Sequence, residues 1–127
     1  MNRCVTLLAA ALIAWATSAA AQMPRNFPAD ALRGDFMVTA PPQVSLNGRL
    51  VQLAPGARIR GTNNLLQLSG PLVGQRLLVN FTVDTMGFVR DVWILTPMEA
   101  ANLPWPTTIE QARTWLFNPA TQTWMRP

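Results

Sequence analysis

The sequence predicts a small α+β domain that is mostly β: an antiparallel sheet or a partly open barrel of short strands, covered by one C-terminal helix. Three observations support this class. From residue 36 onward, short apolar runs alternate with polar residues and are separated by Gly, Pro and Asn. Two pairs of these runs are joined by residues typical of hairpin turns. A later segment has a helix start signal followed by helical spacing of apolar residues.

Residues 1–21 have the three parts of an export signal peptide. Arg3 supplies positive charge, the stretch from Val5 to Trp15 is apolar, and Ala19 and Ala21 are small residues suited to cleavage. An uncleaved anchor needs about 20 consecutive apolar residues, more than this stretch offers. We therefore expect cleavage near Ala21 and a periplasmic or secreted protein with no transmembrane segment after cleavage.

The composition excludes most catalytic chemistry. The chain has no His, Lys or Tyr, and its one cysteine, Cys4, lies in the expected signal peptide. Ser-His-Asp and Cys-His relays, the usual zinc sites and a lysine Schiff base are thus excluded. We predict no catalytic residue, no metal ligand, no cofactor and no enzymatic activity. The net charge of +4 in the full chain falls to about +3 without Arg3, which is only mildly basic.

Residues 22–35 are predicted to form a flexible arm. Pro24, Pro28 and Gly34 are spread through this segment without a sustained apolar period. The remaining residues, 36–127, fit a single small β-rich domain.

The clearest hairpin is predicted around Asn47-Gly48, which suits a two-residue type I′ turn. Pairing Leu46 with Arg49 sets four apolar residues on one inward face: Val44, Leu46, Val51 and Leu53. Pro41-Pro42 and Pro55-Gly56 are expected to end these strands. Ala57–Arg60 then reads as a brief separate strand with Ile59 inward, and Leu65–Ser69 as the next strand.

A second hairpin is predicted from Arg76–Val83 and Phe88–Leu95. Asp84 and Gly87 suit the first and fourth positions of its turn. On the return strand, Val89 is out of phase with the later apolar residues. Either a bulge near Arg90-Asp91 restores the phase, or both faces of this hairpin are covered.

The C-terminal part is predicted to contain the covering helix. A short helix is expected within Pro97–Leu103. Thr107 and Glu110 then form a capping-box pattern, and helical spacing continues through Leu116. The buried stripe of this helix is expected to be Ile109, Ala112 and Leu116. A terminal strand is expected at Thr121–Met125.

A family resemblance is carried by two segments, Val79–Leu95 and Ala112–Ala120. They contain a Phe-Thr-Val-Asp strand, a Gly turn, an Asp-Val strand and a Trp-x-Phe-x-Pro-Ala exit from a helix. This pattern, over about residues 74–120, resembles the C-terminal domain of TonB-like envelope proteins. The resemblance implies a small sheet with a helix on one face, used for protein contact. Residues Phe36–Ser69 have no counterpart in it.

Five residues are candidates for partner binding: Arg49, Arg58, Arg60, Arg76 and Trp105. The arginines could form an outward basic face for an anionic envelope component, or be solvated charges on strand faces. Prolines on both sides of Trp105 could hold its indole outward as an anchor; otherwise it is a core residue. Nucleic acid is not expected, because the arginines have no aromatic residues between them.

The sequence thus predicts a non-catalytic exported domain that binds another envelope component, by strand addition at an open edge. One alternative is an envelope glycan hydrolase that uses paired carboxylates, with Asp84 and Asp91 as its best candidates. Another is a structural accessory subunit of an envelope complex. For both aspartates, a structural role in the hairpin competes with a catalytic one.

Overall fold

The computed structural model describes residues 25–127. The predicted signal peptide and its cleavage site lie outside these residues. In chain order the elements are β1 (Leu32–Ala40), β2 (Gln43–Leu46), β3 (Arg49–Arg60), β4 (Leu66–Gln67), β5 (Leu77–Val83), β6 (Val89–Ile94), α1 (Pro97–Ala100), α2 (Ile109–Thr114), β7 (Leu116–Asn118) and β8 (Thr123–Met125). Within this part of the chain, no helix is long and apolar enough to cross a membrane.

Five strands close into a barrel in the order β1-β2-β3-β6-β5, with β5 pairing back to β1. The β3–β6 pair is parallel, and the other barrel pairs are antiparallel. Strand β4 extends the sheet from β3, and β7 and β8 form a separate two-stranded sheet. The mostly β class is therefore confirmed. The open sheet and the single covering C-terminal helix are not confirmed, because the barrel is closed and both α-helices are short.

The first predicted hairpin is confirmed in its register. Leu46 pairs with Arg49 and Val44 with Val51. Asn47 and Gly48 have φ values of 53° and 80°, as a type I′ turn requires. Local turn chemistry and alternation therefore fix this part of the barrel.

The positive φ of Gly48 predicts that an alanine at this position destabilises the fold. We expect Gly48→Ala to lower the free energy of unfolding by about 1–2 kcal/mol more than Gly70→Ala, because a Cβ is strained at positive φ. An added Cβ at either glycine meets no atom within 4 Å, and only Gly48 has positive φ. Both changes also reduce the entropy of the unfolded chain, so that contribution cancels in the comparison. Urea unfolding measures it, and equal costs would contradict the assigned turn.

Strand β3 continues where its end was expected. Pro55-Gly56 lies inside the strand, and the register with β6 shifts between Leu53 and Arg58. The two residues sit in this bulge, where no ladder hydrogen bond is needed, and Gly56 has a φ of 76°. The expected end of the hairpin and the separate strand at Ala57–Arg60 are thus wrong. One bent strand pairs with β2 at its start and with β6 at its end, which closes the barrel.

The second hairpin is confirmed, and so is the bulge in its return strand. The register changes from Thr82–Asp91 to Val83–Val89, which leaves Arg90 as the extra residue. The alternative reading also holds, because the other face of β5 is covered as well. Thr82 is fully buried on that face.

A second core covers that face of the barrel. It is formed by buried Phe27, Ala31, Leu95, Trp105 and Trp124. Of the described part of the expected N-terminal arm, Phe27 and Ala31 are buried in this core and residues 32–35 lie in β1, whereas residues 28–30 are exposed. Phe27 supplies an aromatic ring that attaches this segment to the second core.

The C-terminal elements differ from the prediction. Helix α2 begins after Thr108, whose side chain accepts from the Gln111 amide, and none of its residues is buried. Ile109 and Leu116 of the expected stripe are exposed, while Ala112 is half-buried. Helix α2 ends before Trp115. From there the chain is extended, and the side chains of Trp115 and Phe117 pack against the second core. The terminal strand is present as β8, paired with β7.

Candidate functional site

The four predicted arginines do not form one cluster. Arg58 and Arg60 lie at alternate positions near the end of β3, opposite Asp91 and Trp93 of β6. Arg60 is half-buried, 3.7 Å from Asp91, and its guanidinium lies 5.9 Å from the Trp93 ring centre. The other two are exposed at separate places, Arg49 at the start of β3 and Arg76 before β5.

Trp105 lies in the second core and does not point outward. Its side chain is 4% exposed, and its indole N–H donates to the Ala31 carbonyl at 3.0 Å. The rings of Phe27, Phe117 and Trp124 surround it at centroid distances of 5.9 to 6.0 Å. Of the two readings that the sequence leaves open, the core residue therefore holds and the outward anchor does not. The flanking prolines fix the path of the backbone, but the aromatic cluster decides which way the indole faces.

The two aspartates proposed for glycan hydrolysis have structural partners. Asp84 Oδ1 accepts from the backbone amides of Met86 and Phe88, each at 2.9 Å, and so shapes its turn. Asp91 is 3.7 Å from Arg60 and 3.4 Å from Arg90. In residues 25–127 no group of three or more His, Cys, Asp or Glu side chains could hold a metal ion.

The exposed edge of the sheet is at β4. This strand pairs antiparallel with the end of β3. It lies on the same side of β3 as β2, which pairs with the start of that strand, while β6 lies on the opposite side. Among the described strands, β4 has no partner on its other side. Leu65, Leu66 and Leu68 are 65%, 67% and 79% exposed. An exposed apolar edge strand is a template for pairing with another chain.

A buried ion cluster lies beside the second core. Arg25 donates from Nε and Nη2 to the Glu99 carboxylate at 2.9 and 2.6 Å. It also donates to the carbonyls of Gly61 and Ile94. Arg33, 5% exposed, lies 5.1 Å from the Trp105 ring centre. Sequence reasoning missed this cluster, because Arg25 and Glu99 are 74 positions apart and no local pattern joins them.

The surroundings lower the pKa of two groups in this cluster, Glu99 and Arg33. Burial alone would raise the pKa of Glu99, but hydrogen bonds from Arg25 and Thr96, with the charge of Arg25, hold it below its ordinary value. Burial lowers the pKa of Arg33 to about 10, partly offset by attraction to Glu99. Arg33 is therefore a cation at neutral pH.

The lowered pKa of Glu99 predicts acid sensitivity. The folded protein holds this proton less tightly than the unfolded chain, so the stabilisation is fully present above the ordinary pKa of 4.5 and is lost as the pH falls through the folded value. Urea unfolding from about pH 6 to about pH 3 should therefore show a shallower pH dependence in Glu99→Gln than in the wild type. Parallel pH curves for the two proteins would contradict the assignment.

Comparison with known protein families, with curated proteins and with solved structures gave no match.

Proposed function

We propose that this protein is a non-catalytic exported domain of the cell envelope that binds another envelope protein by adding a strand of that partner to β4. One observation carries the proposal: β4 is an edge strand, and three leucines in it or beside it are 65–79% exposed. Backbone hydrogen bonds at such an edge give affinity, and side-chain contacts beside it give specificity. The resemblance of residues 74–120 to TonB-like domains supports the same kind of role.

The residues on β2 and β3 disfavour nucleic acid as the partner. A five-stranded Greek-key barrel is the architecture of the OB-fold, which binds oligonucleotides and oligosaccharides on its second and third strands. Here the corresponding strands, β2 and β3, contain no aromatic residue. Binding of single-stranded nucleic acid relies on aromatic side chains on which bases stack. We therefore place the partner at the β4 edge.

The proposal predicts that charge at this edge blocks binding. We expect the double variant Leu66→Lys/Leu68→Lys to recover about tenfold less of the partner than the wild type when tagged protein is purified from its own host. Its free energy of unfolding should change by less than about 0.5 kcal/mol, because both side chains are exposed.

The matched control is Leu50→Lys/Leu116→Lys, at leucines that are 73% and 69% exposed. Leu50 is near the start of β3, whereas β4 pairs with the end of that strand, and Leu116 lies in β7 of the other sheet. It adds the same charge and should recover the partner as the wild type does. A partner recovered equally by both double variants would refute binding at this edge.

A further inference from the structure

A cleft of about 480 Å³, lined by both apolar and polar side chains, opens beside the second core. Its walls come from the start of the described chain, the loop at residues 62–64 after β3, the region of α1, and residues 120–122 before β8. Arg25, Arg33 and Glu99 are its charged lining residues. This volume lies within the range of pockets that bind small molecules, about 300–1,000 Å³.

The charges lining this cleft do not balance. Glu99 is the only carboxylate among them, and Arg25 binds it through two hydrogen bonds. Arg33 has only neutral hydrogen-bond partners: Asn80 Oδ1 and the carbonyls of Glu99, Ala100 and Asn102. Two guanidinium groups thus share one carboxylate, which leaves one buried positive charge. A buried charge without a counter-ion is costly.

Each of the two guanidinium groups has one more N–H donor than it has hydrogen bonds. An arginine side chain has five N–H donors. Arg25 makes four hydrogen bonds, and its Nη1 makes only one of them. Arg33 also makes four, and its Nη2 makes only one. By this count, one N–H of each group has no hydrogen-bond partner in residues 25–127.

The rest of the polar lining is neutral. It consists of amide and hydroxyl side chains: Asn26, Asn63, Asn64, Asn102, Gln122, Thr62, Thr96 and Thr121. Such groups donate and accept hydrogen bonds with hydroxyl and amide groups of a ligand, and they add no charge. The lining therefore suits an anion that also carries neutral polar groups.

We propose that this cleft binds a small organic monoanion, a carboxylate with several hydroxyl or amide groups such as an acidic sugar. The carboxylate supplies the counter-charge that the two arginines lack, and the amide and hydroxyl lining binds the neutral groups. None of the β4 leucines lines this cleft, so variants at those leucines and ligand titration of the cleft test the two proposals separately.

Calorimetric titration of the purified, host-processed protein tests this site. The probes are gluconate, galacturonate and N-acetylneuraminate, with glucose and galactose as neutral counterparts. We expect at least one anion to bind with one-to-one stoichiometry and at least about tenfold more tightly than either neutral sugar. No binding by any of the three anions at about 10 mM would overturn the proposal.

A rim variant shows whether the anion occupies this cleft. Asn26 is exposed on its rim, and Asn26→Asp adds a negative charge with almost no change in shape. We expect this change to weaken the binding of the anion about tenfold, by like-charge repulsion. Gln52→Glu adds the same charge at an exposed position of β3 outside the cleft and should change the affinity less than about twofold. Equal affinities in both variants would place the anion elsewhere and overturn the proposal.

Discussion

Replacing Glu99 with Gln is expected to lower the free energy of unfolding by about 3–5 kcal/mol. The side chain is 7% exposed and is the only carboxylate beside Arg25 and Arg33 in their cleft. Without its charge, two guanidinium groups remain buried with no counter-ion, and removing one partner of a buried ion pair is far more costly than removing a surface pair. Small domains have about 5–15 kcal/mol of stability, so this loss is a large share of the total.

Urea unfolding followed by circular dichroism measures the effect. The matched control is Glu110→Gln, the same change at an exposed carboxylate in the first turn of α2. We expect it to cost less than about 1 kcal/mol. The second variant, Arg25→Met with Glu99→Gln, removes one of the two uncompensated cations and should recover part of the loss. Equal costs for the two glutamate variants would show that the buried ion pair does not stabilise the fold.

Replacing Trp105 with Ala is the other change with a large expected effect, a loss of about 3–5 kcal/mol. The indole touches three rings of the second core and holds the Ala31 carbonyl, which precedes β1. Truncation leaves a cavity among aromatic side chains and an unsatisfied carbonyl in a buried region.

Thermal and urea unfolding of the variant measure this loss, with Leu103→Ala as its control. Leu103 is 70% exposed and lies two residues away, so its truncation should cost less than about 0.5 kcal/mol. Trp105→Phe keeps an aromatic ring but loses the indole donor and should give an intermediate cost. If Trp105→Ala were as mild as Leu103→Ala, the second core would not hold the N-terminal segment against the barrel.

The sequence could predict the hairpins because their determinants are local. Asn47-Gly48 and Asp84–Gly87 set the turns, and the alternation beside them sets the register. Val89 is out of alternation with Val92 and Ile94, and this break in the pattern predicted the bulge, since one extra residue shifts every later side chain to the opposite face.

The remaining fold depends on contacts between distant residues. Closure of the barrel requires β3 to pass through Pro55-Gly56, which taken alone reads as the end of a strand. The prolines beside Trp105 leave both an outward anchor and a core residue open, because the burial of its indole depends on Phe27 and the C-terminal strands. The Arg25–Glu99 pair joins the two ends of the domain and has no local signature.

The sequence near the C-terminus contains both a helical and a strand-like spacing of apolar residues. Ile109, Ala112 and Leu116 have helical spacing, whereas Trp115 and Phe117 alternate as in a strand. The structure follows the second pattern from Leu116 onward, because large aromatic side chains bury more apolar surface than the predicted stripe does.

Site-specific photocrosslinking in the natural host tests the central claim most directly, that this domain acts by binding a partner strand at β4. A photoreactive side chain replaces Leu68 beside β4 in one protein and Leu50 on the β2–β3 hairpin in another. We expect one discrete crosslinked envelope protein from position 68 and none from position 50. No product from position 68, or the same product from both positions, would contradict the claim.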